Sequence, residues 1–373
     1  MAPPLVILLI IIYGYTLIIL LFYLEIEEDR DPLPDPSEIS TGVSLVVPFR
    51  DEEDRLPGLL KDLAGQSFPA GLMEVLLVDD HSGDDSASIV KSVSTAKDNF
   101  HYLELPEGER GKKKALAKGI LHAKHERIIQ VDADCRLDPL FLAAHMHFLN
   151  KNPADLVAGM VSTRKEKGGK LEIFDRLDLL SLIGSGAGSF NLGRPMMCSG
   201  ANLSYSKELF LETRPFDPEE TLASGDDMFL MIGARKLGRK LLFIGKRESI
   251  VWTAPRKDLR TMLLQRIRWA SKAGKLHMPD IQLLALLVVL TNISLLLMPL
   301  WVLLFTAWWP WLAGAWLVKT LADFLLLYKM TGICGSRSDL KFFFPASLLY
   351  YPYFAMVLLG SLVVKPSWKG KPR

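Results

Sequence analysis

The chain has 373 residues, of which 49% are apolar and 23% charged, and its formal net charge is +2. A mean hydropathy of +0.20 is high for a soluble protein with so many charges, so we expect a soluble body that carries membrane segments. A net charge this small gives no overall field that would attract nucleic acid, and we predict no nucleic-acid partner. The three widely spaced cysteines exclude a disulfide framework and a zinc site built from Cys pairs.

Residues 1–24 predict a transmembrane anchor. The stretch from Leu5 to Tyr23 is apolar apart from Tyr, Thr and Gly, and it reaches the roughly 20 residues that a spanning helix needs. No basic leader or small-residue cleavage site accompanies it, so we expect the anchor to be retained. Residues 25–41, rich in acidic residues and proline, are predicted to form a linker.

Residues 42–255 are predicted to form one soluble domain. Apolar runs at residues 43–48, 74–80, 101–105 and 127–131 predict strands, and segments with helical periodicity separate them. Strands that alternate with helices indicate an α/β fold with a mostly parallel, doubly wound sheet.

The second half of this domain has a less regular pattern. We predict a strand at residues 156–161 and an amphipathic helix at 171–183, which a flexible glycine-rich break at 184–188 follows. Residues 195–203 predict a strand that runs into a turn, and a further helix begins near Gly225.

Two carboxylates follow the strand at residues 127–131. Asp132 and Asp134 are two positions apart, so on an extended chain they point the same way, at the strand end where open α/β sheets bind ligands. Two hard oxygen anions at this spacing suit Mg²⁺ or Mn²⁺. The alternative is a solvated acidic loop.

The C-terminal part predicts membrane association. An interfacial amphipathic helix at 256–280 precedes transmembrane or re-entrant helices within 281–364, and a basic tail occupies 365–373. Basic residues before the first apolar stretch predict that the soluble domain faces the cytoplasm, in the cytoplasmic membrane. Three full crossings would place the basic tail on the other side. Either the positive-inside rule fails at the tail, or one stretch is re-entrant or interfacial. The preferred stretch is 345–364, because Pro352 could break it, and the rival is 311–328, because Lys319 and Asp323 lie inside it.

Six short motifs together resemble the family 2 glycosyltransferases of the inverting, membrane-bound kind. In chain order they are PFRDEE at 48–53, VDDHSGD at 78–84, GKKKAL at 111–116, DAD at 132–134, GDD at 225–227 and QRIRW at 265–269. Asp51 and Ala117 stand where that family usually has asparagine. The layout is similar to ceramide- and hopanoid-type glucosyltransferases and to the catalytic domain of processive synthases. The resemblance implies a GT-A fold.

The resemblance also implies a role for each motif residue. The residues implied to bind the nucleotide sugar are Pro48, Arg50, Glu52, Asp79, Asp80, Lys112 and Asp132. Asp134 and Asp132 would hold Mg²⁺ or Mn²⁺, and Asp227 would be the general base with Asp226 beside it. The residues implied to meet the acceptor and the diphosphate are Gln265, Arg268, Trp269 and Asn202.

Each of these assignments has a structural alternative. The Asp79/Asp80 pair could cap the following helix, and Lys112 could belong to a solvated basic surface. Asp226 and Asp227 would also suit a helix N-terminus, and the QRIRW helix could simply lie at the membrane interface.

We therefore predict an inverting glycosyltransferase that moves a sugar from a nucleotide-diphosphate sugar, with UDP as the expected nucleotide, to a hydroxyl of a lipid or lipid-linked glycan acceptor. A processive polysaccharide synthase is the alternative enzyme. A membrane-tethered, non-catalytic scaffold that binds nucleotide sugars is the alternative from another class.

Overall fold

A computed structural model of the chain describes residues 3–33, 35–213, 225–273 and 278–363. Contacts divide the chain into two compact units. The first comprises Met1–Ile26, Lys165–Leu192 and Pro255–Arg373, and the second comprises Glu27–Arg164 and Gly193–Ala254. The sequence assigned residues 42–255 to one domain, whereas Lys165–Leu192 groups with the apolar helices.

The second unit contains the β-structure that the chain forms in its described part. Its strands are β1 Val43–Phe49, β2 Met73–Asp79, β3 Phe100–Glu104, β4 Arg127–Gln130, β5 Leu156–Gly159, β6 Val161–Thr163, β7 Leu203–Ser206, β8 Leu241–Ile244 and β9 Val251–Thr253. Within the described residues, a seven-stranded sheet has the order β3–β2–β1–β4–β7–β5–β8, and β6 pairs with β9 separately. Among the described strands of this sheet, only β7 runs antiparallel to its neighbours. The predicted mostly parallel α/β sheet is confirmed.

Helices occur in both units. They are α1 Pro3–Glu25, α2 Leu56–Ala64, α3 Ser86–Ala96, α4 Lys112–His122, α5 Phe141–Lys151, α6 Lys170–Asn191, α7 Lys207–Thr213, α8 Asp226–Lys236, α9 Leu259–Ala273, α10 Pro279–Leu296, α11 Met298–Leu304, α12 Trp309–Ile333 and α13 Phe343–Val363. The first unit holds α1, α6 and α9 to α13, and the second holds the remainder.

The core of the sheet explains why its strands read as apolar runs. Every residue of β1 and of β2 is buried, as expected for parallel strands that are covered on both faces. The register pairs Phe49 with Asp79 and Val46 with Gln130. The turns after β1, β2 and β4 therefore leave the sheet at the same edge.

The predicted strand at 156–161 was wrong as a single element. It divides into β5 and β6, which belong to different sheets. Met160 lies between them, and its carbonyl accepts hydrogen bonds from Val251 N at 3.0 Å and Asn202 Nδ2 at 2.8 Å. The strand predicted at 195–203 is also absent from these described residues, because β7 begins only at Leu203.

The glycine-rich segment 184–188 is not a flexible break. It continues α6, which runs unbroken to Asn191. A Cβ on Gly188 would lie 2.5 Å from Phe22 Cα, and a Cβ on Gly184 would lie 2.8 Å from Met330 Cγ. The glycines thus allow α6 to pack closely against α1 and α12, a role of small residues in helix packing that composition alone does not distinguish from a loop.

Part of the predicted linker is docked on the second unit. Asp29 forms a β-bridge with Lys246, and Asp29 N donates to Gly245 O at 3.1 Å. The buried Lys246 ammonium lies 3.3 Å from an Asp29 carboxylate oxygen and also donates to Asp31 O at 2.5 Å. These contacts fix the path of the segment between residues 29 and 31.

Among the described residues, four helical segments are long and apolar enough to cross a membrane: Pro3–Glu25, Pro279–Leu296, Thr306–Ile333 and Arg337–Val363. The expectation that Pro352 would break the last stretch was wrong, because Pro352 lies inside the continuous α13. The interruption falls earlier, where α10 ends at Leu296 and α11 begins at Met298 with a proline in its first turn. The predicted basic tail at 365–373 lies outside the described residues.

Candidate active site

The loops after β1 and β2 are held together by hydrogen bonds between their polar residues. Asp80 is buried, and one carboxylate oxygen accepts the Gly111 N–H at 3.0 Å while the other lies 3.5 Å from Arg50 Nη1. Asp80 therefore links the turn after β1 to the residue that precedes α4. The predicted nucleotide-binding residues Arg50 and Asp80 are thus in direct contact.

Asp79 is equally buried and has its own set of partners. Its Oδ1 accepts the backbone N–H of Ser82 at 2.9 Å and the Ser82 hydroxyl at 2.6 Å. Its Oδ2 accepts the Tyr102 hydroxyl at 3.1 Å. These bonds hold the turn after β2 in place, so Asp79 has a structural function whatever it contacts in a ligand.

The PFRDEE segment leaves β1 in a strained conformation. Pro48 lies within β1 opposite Val78, and Asp51 has a φ of 49°, a region that residues other than glycine rarely occupy. The Asp51 carboxylate accepts the Gly83 N–H at 2.7 Å, so this side chain holds the turn after β1 against the turn after β2. Glu52 N donates to Ser86 Oγ at 2.8 Å, so the loop is bound to the start of α3.

Lys112 joins two of the predicted acidic positions. Its ammonium lies 2.6 Å from Asp132 Oδ1 and 3.9 Å from Asp226 Oδ2. Burial alone would lower the pKa of Lys112, but the charges of Asp132, Asp226 and Asp227 raise it above its usual value. Lys112 therefore remains a cation, and the alternative of a merely solvated basic surface does not describe it.

Asp226 and Asp227 form the first turn of α8 and have different surroundings. Asp226 is buried, and its Oδ2 accepts the Gln130 amide at 2.9 Å. Asp227 is only partly buried. Its Oδ2 accepts the Gly200 N–H at 2.9 Å, and its Oδ1 accepts the Met228 N–H at 2.8 Å. Asp227 is thus the member of the pair that solvent reaches more readily.

Gln130 was not among the predicted site residues. It is the last residue of β4 and is buried, with its Oε1 accepting the Tyr205 hydroxyl at 3.1 Å. One sequence signal could have identified it, because Gln130 is a polar residue that directly follows the two isoleucines of β4 and precedes Asp132 by two positions. Its partner Asp226 is 96 residues away in the chain, and sequence reasoning gave no means of pairing them.

The Asp132 and Asp134 carboxylates are both partly exposed at the sheet edge. Asp134 Oδ1 contacts the Cys135 thiol at 3.7 Å. Within the described part of the chain, no three His, Cys, Asp or Glu side chains form a ready metal-binding group. Two accessible carboxylates still fit Mg²⁺ or Mn²⁺, since these ions commonly take one or two protein carboxylates and complete their shell with water and substrate phosphate.

Asn202 is fully buried and makes its hydrogen bonds within the second unit. Its Nδ2 donates to Met160 O and to Ser249 O, both at 2.8 Å, and its Oδ1 lies 3.1 Å from His145 Nε2. The observed contacts give Asn202 a structural role that joins four segments of the second unit. Its predicted contact with the acceptor stays a prediction.

The QRIRW motif lies on α9 in the first unit. Its second residue, Arg266, is buried and pairs with Asp178 at 2.6 Å and with Asp175 at 3.1 Å, both on α6. Arg266 also donates to Gln265 Oε1 at 2.9 Å, and its guanidinium lies 4.5 Å from the centre of the Trp269 ring. The sequence pattern singled out Gln265, Arg268 and Trp269 and missed the residue that anchors the motif.

Comparison with known proteins gives matches at the level of sequence and of fold. Residues 44–214 match the family model described as Glycosyl transferase family 2. Glycosyltransferase AglE of Haloferax volcanii is 24% identical over 240 residues, which cover 58% of this chain and 76% of that protein. Undecaprenyl-phosphate 4-deoxy-4-formamido-L-arabinose transferase of Klebsiella pneumoniae is 34% identical over 98 residues, which cover 26% of this chain and 30% of that protein.

Among solved structures, mannosyltransferase PcManGT from Pyrobaculum calidifontis superposes with a TM-score of 0.56 and 19% identity, covering 96% of both chains. That protein was solved in complex with GDP-Man and Mn²⁺. At this identity the likeness concerns the fold, and it agrees with the predicted GT-A architecture.

Proposed function

We propose that the chain, whose residues 44–214 match the model of glycosyl transferase family 2, transfers a sugar from a nucleotide-diphosphate sugar to a hydroxyl of a lipid or lipid-linked acceptor. UDP is the expected nucleotide. Inversion at the anomeric carbon is typical of this family. The acceptor oxygen forms a bond to the anomeric carbon while the bond from that carbon to the diphosphate breaks.

The observation that carries the proposal is the convergence of Lys112, Asp132, Asp226 and Asp227 at one edge of the sheet. Lys112 bridges Asp132 after β4 and Asp226 at the start of α8, and Asp227 is the next residue. A diphosphate needs cationic partners, and an acceptor hydroxyl needs a base on the opposite face of the sugar ring. The second unit offers both chemistries within one cluster of contacts.

Asp227 is the proposed general base. It is more exposed than Asp226, and each of its carboxylate oxygens accepts one backbone N–H, so the carboxylate is held in one orientation. A carboxylate oxygen can accept more than one hydrogen bond, so these backbone contacts are compatible with an acceptor hydroxyl at the same group. The proton of the attacking hydroxyl would pass to this carboxylate, a contribution of about 10²- to 10⁴-fold to the rate.

Asp134 and Asp132 are the proposed ligands of Mg²⁺ or Mn²⁺. A divalent cation bound there would neutralise charge on the departing nucleoside diphosphate. Lys112 already pairs with Asp132, so this lysine is the proposed second cation for the diphosphate. Arg50, Glu52, Asp79 and Asp80 are the proposed contacts of the nucleoside.

The acceptor assignment rests on the membrane character of the chain. Four helical segments of the described chain could cross a bilayer, and the Klebsiella relative is named as an undecaprenyl-phosphate transferase. Gln265, Arg268 and Trp269 are the proposed contacts of the acceptor and the diphosphate. The basic approach to α10 favours a catalytic domain on the cytoplasmic face.

The test is a panel of nucleotide sugars offered to the detergent-purified full chain with Mg²⁺ or Mn²⁺. UDP-sugars and GDP-mannose belong in the panel, and each is combined with a membrane lipid extract as acceptor. Release of nucleoside diphosphate together with a single labelled glycolipid would support the proposal. A labelled polymer would favour the processive alternative. Tight nucleotide binding without transfer to any acceptor would favour the non-catalytic scaffold.

A further inference from the structure

Gln130 occupies the centre of a hydrogen-bonded chain that joins β7, β4 and α8. Tyr205 on β7 donates its hydroxyl proton to Gln130 Oε1 at 3.1 Å, and Gln130 Nε2 donates to Asp226 Oδ2 at 2.9 Å. All three side chains are buried. An ionised carboxylate can only accept, so the Gln130 amide nitrogen is the donor to Asp226, and burial raises the pKa of the Tyr205 hydroxyl, which keeps the proton that it donates to Gln130.

The same amide also supports the turn that holds Asp227. Gly200 donates its N–H to Asp227 Oδ2 at 2.9 Å, and a Cβ on Gly200 would lie 2.9 Å from Gln130 Nε2. The backbone of the Gly200 turn therefore packs directly against the Gln130 amide. Gln130 thus contacts Asp226 by a hydrogen bond and approaches Asp227 through Gly200.

The glycine before α8 provides no side-chain hydrogen bond that would cap the start of the helix. Gly225 precedes it with a φ of 104°, a conformation that glycine adopts without strain. Lys112 and Lys113 on α4 contact Asp226 and the Phe229 ring of α8, the latter at 4.6 Å from the ring centre. Gln130 adds a contact with α8 from the side of the sheet.

We propose that Gln130, held by Tyr205, is a positioning residue for the transfer reaction, which fixes Asp226 and thereby the orientation of the adjacent carboxylate Asp227. This inference rests on the proposed function of Asp227. In this proposal Gln130 acts through its hydrogen bond to Asp226. Its amide is suited to this position because it accepts from a hydroxyl and donates to a carboxylate at once.

The test compares Gln130→Glu with Gln130→Leu across a range of pH. In the Gln130→Glu variant, the protonated carboxyl group can still donate to Asp226 and accept from Tyr205, whereas the ionised carboxylate cannot donate and repels Asp226. The charged or titratable groups that face this position are Asp226 and Asp227 from α8, Lys112 from α4 and Tyr205 from β7. We expect the ratio of the Gln130→Glu kcat to the wild-type kcat to rise as the pH is lowered.

Gln130→Leu should instead lower kcat by roughly 10- to 100-fold at every pH, because a hydrogen bond to a charged group is lost. The KM for the nucleotide sugar should stay unchanged in both variants. Tyr205→Phe should lower kcat by a smaller factor than Gln130→Leu, and the ratio of its kcat to the wild-type kcat should not recover at acid pH. This variant replaces Gln130→Leu in the test if Gln130→Leu does not fold. Gln66→Glu is the matched control, because the Gln66 amide also donates hydrogen bonds within the second unit, to Asp62 O and Asp138 O. The ratio of the Gln66→Glu kcat to the wild-type kcat should not vary with pH.

A Gln130→Glu ratio that stays flat with pH, or a Gln130→Leu enzyme with wild-type kcat, would overturn the inference while the proposed function stands. A rise in donor KM without a change in kcat would overturn it too, because Gln130 would then belong to donor binding. Absence of sugar transfer by the wild-type protein would overturn the proposed function and this inference together.

Discussion

Lys112 Nζ lies 2.6 Å from Asp132 Oδ1, so the first residue of α4 is ion-paired with the first carboxylate after β4. The same carboxylate is a proposed ligand of a divalent cation. Lys112 and the cation would therefore both bind Asp132, or each would bind a different part of the diphosphate. The predictions for Lys112 and Asp134 differ, because Lys112 would contact the diphosphate directly whereas Asp134 would act through the cation.

Replacing Lys112 by Met should raise the KM for the nucleotide sugar by roughly 10- to 100-fold, since a charge-assisted contact to the diphosphate is lost. Lys112→Arg should recover part of that loss. Because the pKa of Lys112 is raised, no change in donor KM from its titration is expected between about pH 6 and pH 9. Lys114→Met, an exposed lysine on the same helix, is the control, and an equal effect of both changes would exclude a specific role for Lys112.

Asp134→Ala should weaken nucleotide binding chiefly when a divalent metal is present. The physical reason is that the side chain would act through the cation and not through the nucleotide itself. Calorimetric titration of UDP or GDP into the full chain, with Mn²⁺ and then with chelator, measures the difference. An equal loss of affinity under both conditions would exclude Asp134 as a metal ligand.

Asp227→Asn should lower kcat by about 10²- to 10⁴-fold and leave nucleotide binding nearly intact. Asparagine keeps the size of the side chain but cannot take up the proton. The alternative is that Asp227 merely stabilises the helix start. Asp258→Asn tests this alternative, because Asp258 accepts the Thr261 N–H at 2.7 Å at the beginning of α9. If both variants lost only stability, the base would have to be another residue.

Arg266→Ala should destabilise the first unit by about 3–5 kcal/mol, since Asp175 and Asp178 would remain buried without their cation. The thermal midpoint of the full chain in detergent measures this, and Arg266→Lys should lose less. Arg260→Ala is the control, because Arg260 is exposed on the same helix. Equal midpoints for the two alanine variants would contradict the anchoring role of Arg266.

The stability of the second unit should fall as the pH is lowered from about 6.5 to about 4. Burial lowers the pKa of His145 to about 4, below the usual value near 6.5 of an unfolded chain. The unfolded state therefore binds more protons in this window, and the cost reaches on the order of 3 kcal/mol below it. His145→Gln should flatten the pH dependence of the thermal midpoint across this window, and an unchanged slope would show that other groups cause it.

Much of the fold could be predicted because its signals are local. Strands β1 and β2, buried along their whole length, read as apolar runs interrupted only by Ser44, Glu74 and Asp79, and the buried leucines of α2 recur at helical spacing. The prediction for segment 184–188 was wrong because it also used only a local signal. Its glycines are typical of a loop by composition, and only the backbone of Phe22 on α1, far away in the chain, shows that they serve close helix packing.

The sequence by itself determined the resemblance to the family 2 glycosyltransferases, the order of the acidic motifs and the strands that Asp79, Asp132 and Asp134 end or follow, since these depend on residue type and short spacing. Only the tertiary structure decided the partners of these groups. Asp226 meets Gln130 and Lys112, and Arg266 meets two carboxylates of α6, because strands and helices distant in the chain become neighbours. A buried charge or amide must find its partner wherever the fold provides one, and no local pattern records which residue that is.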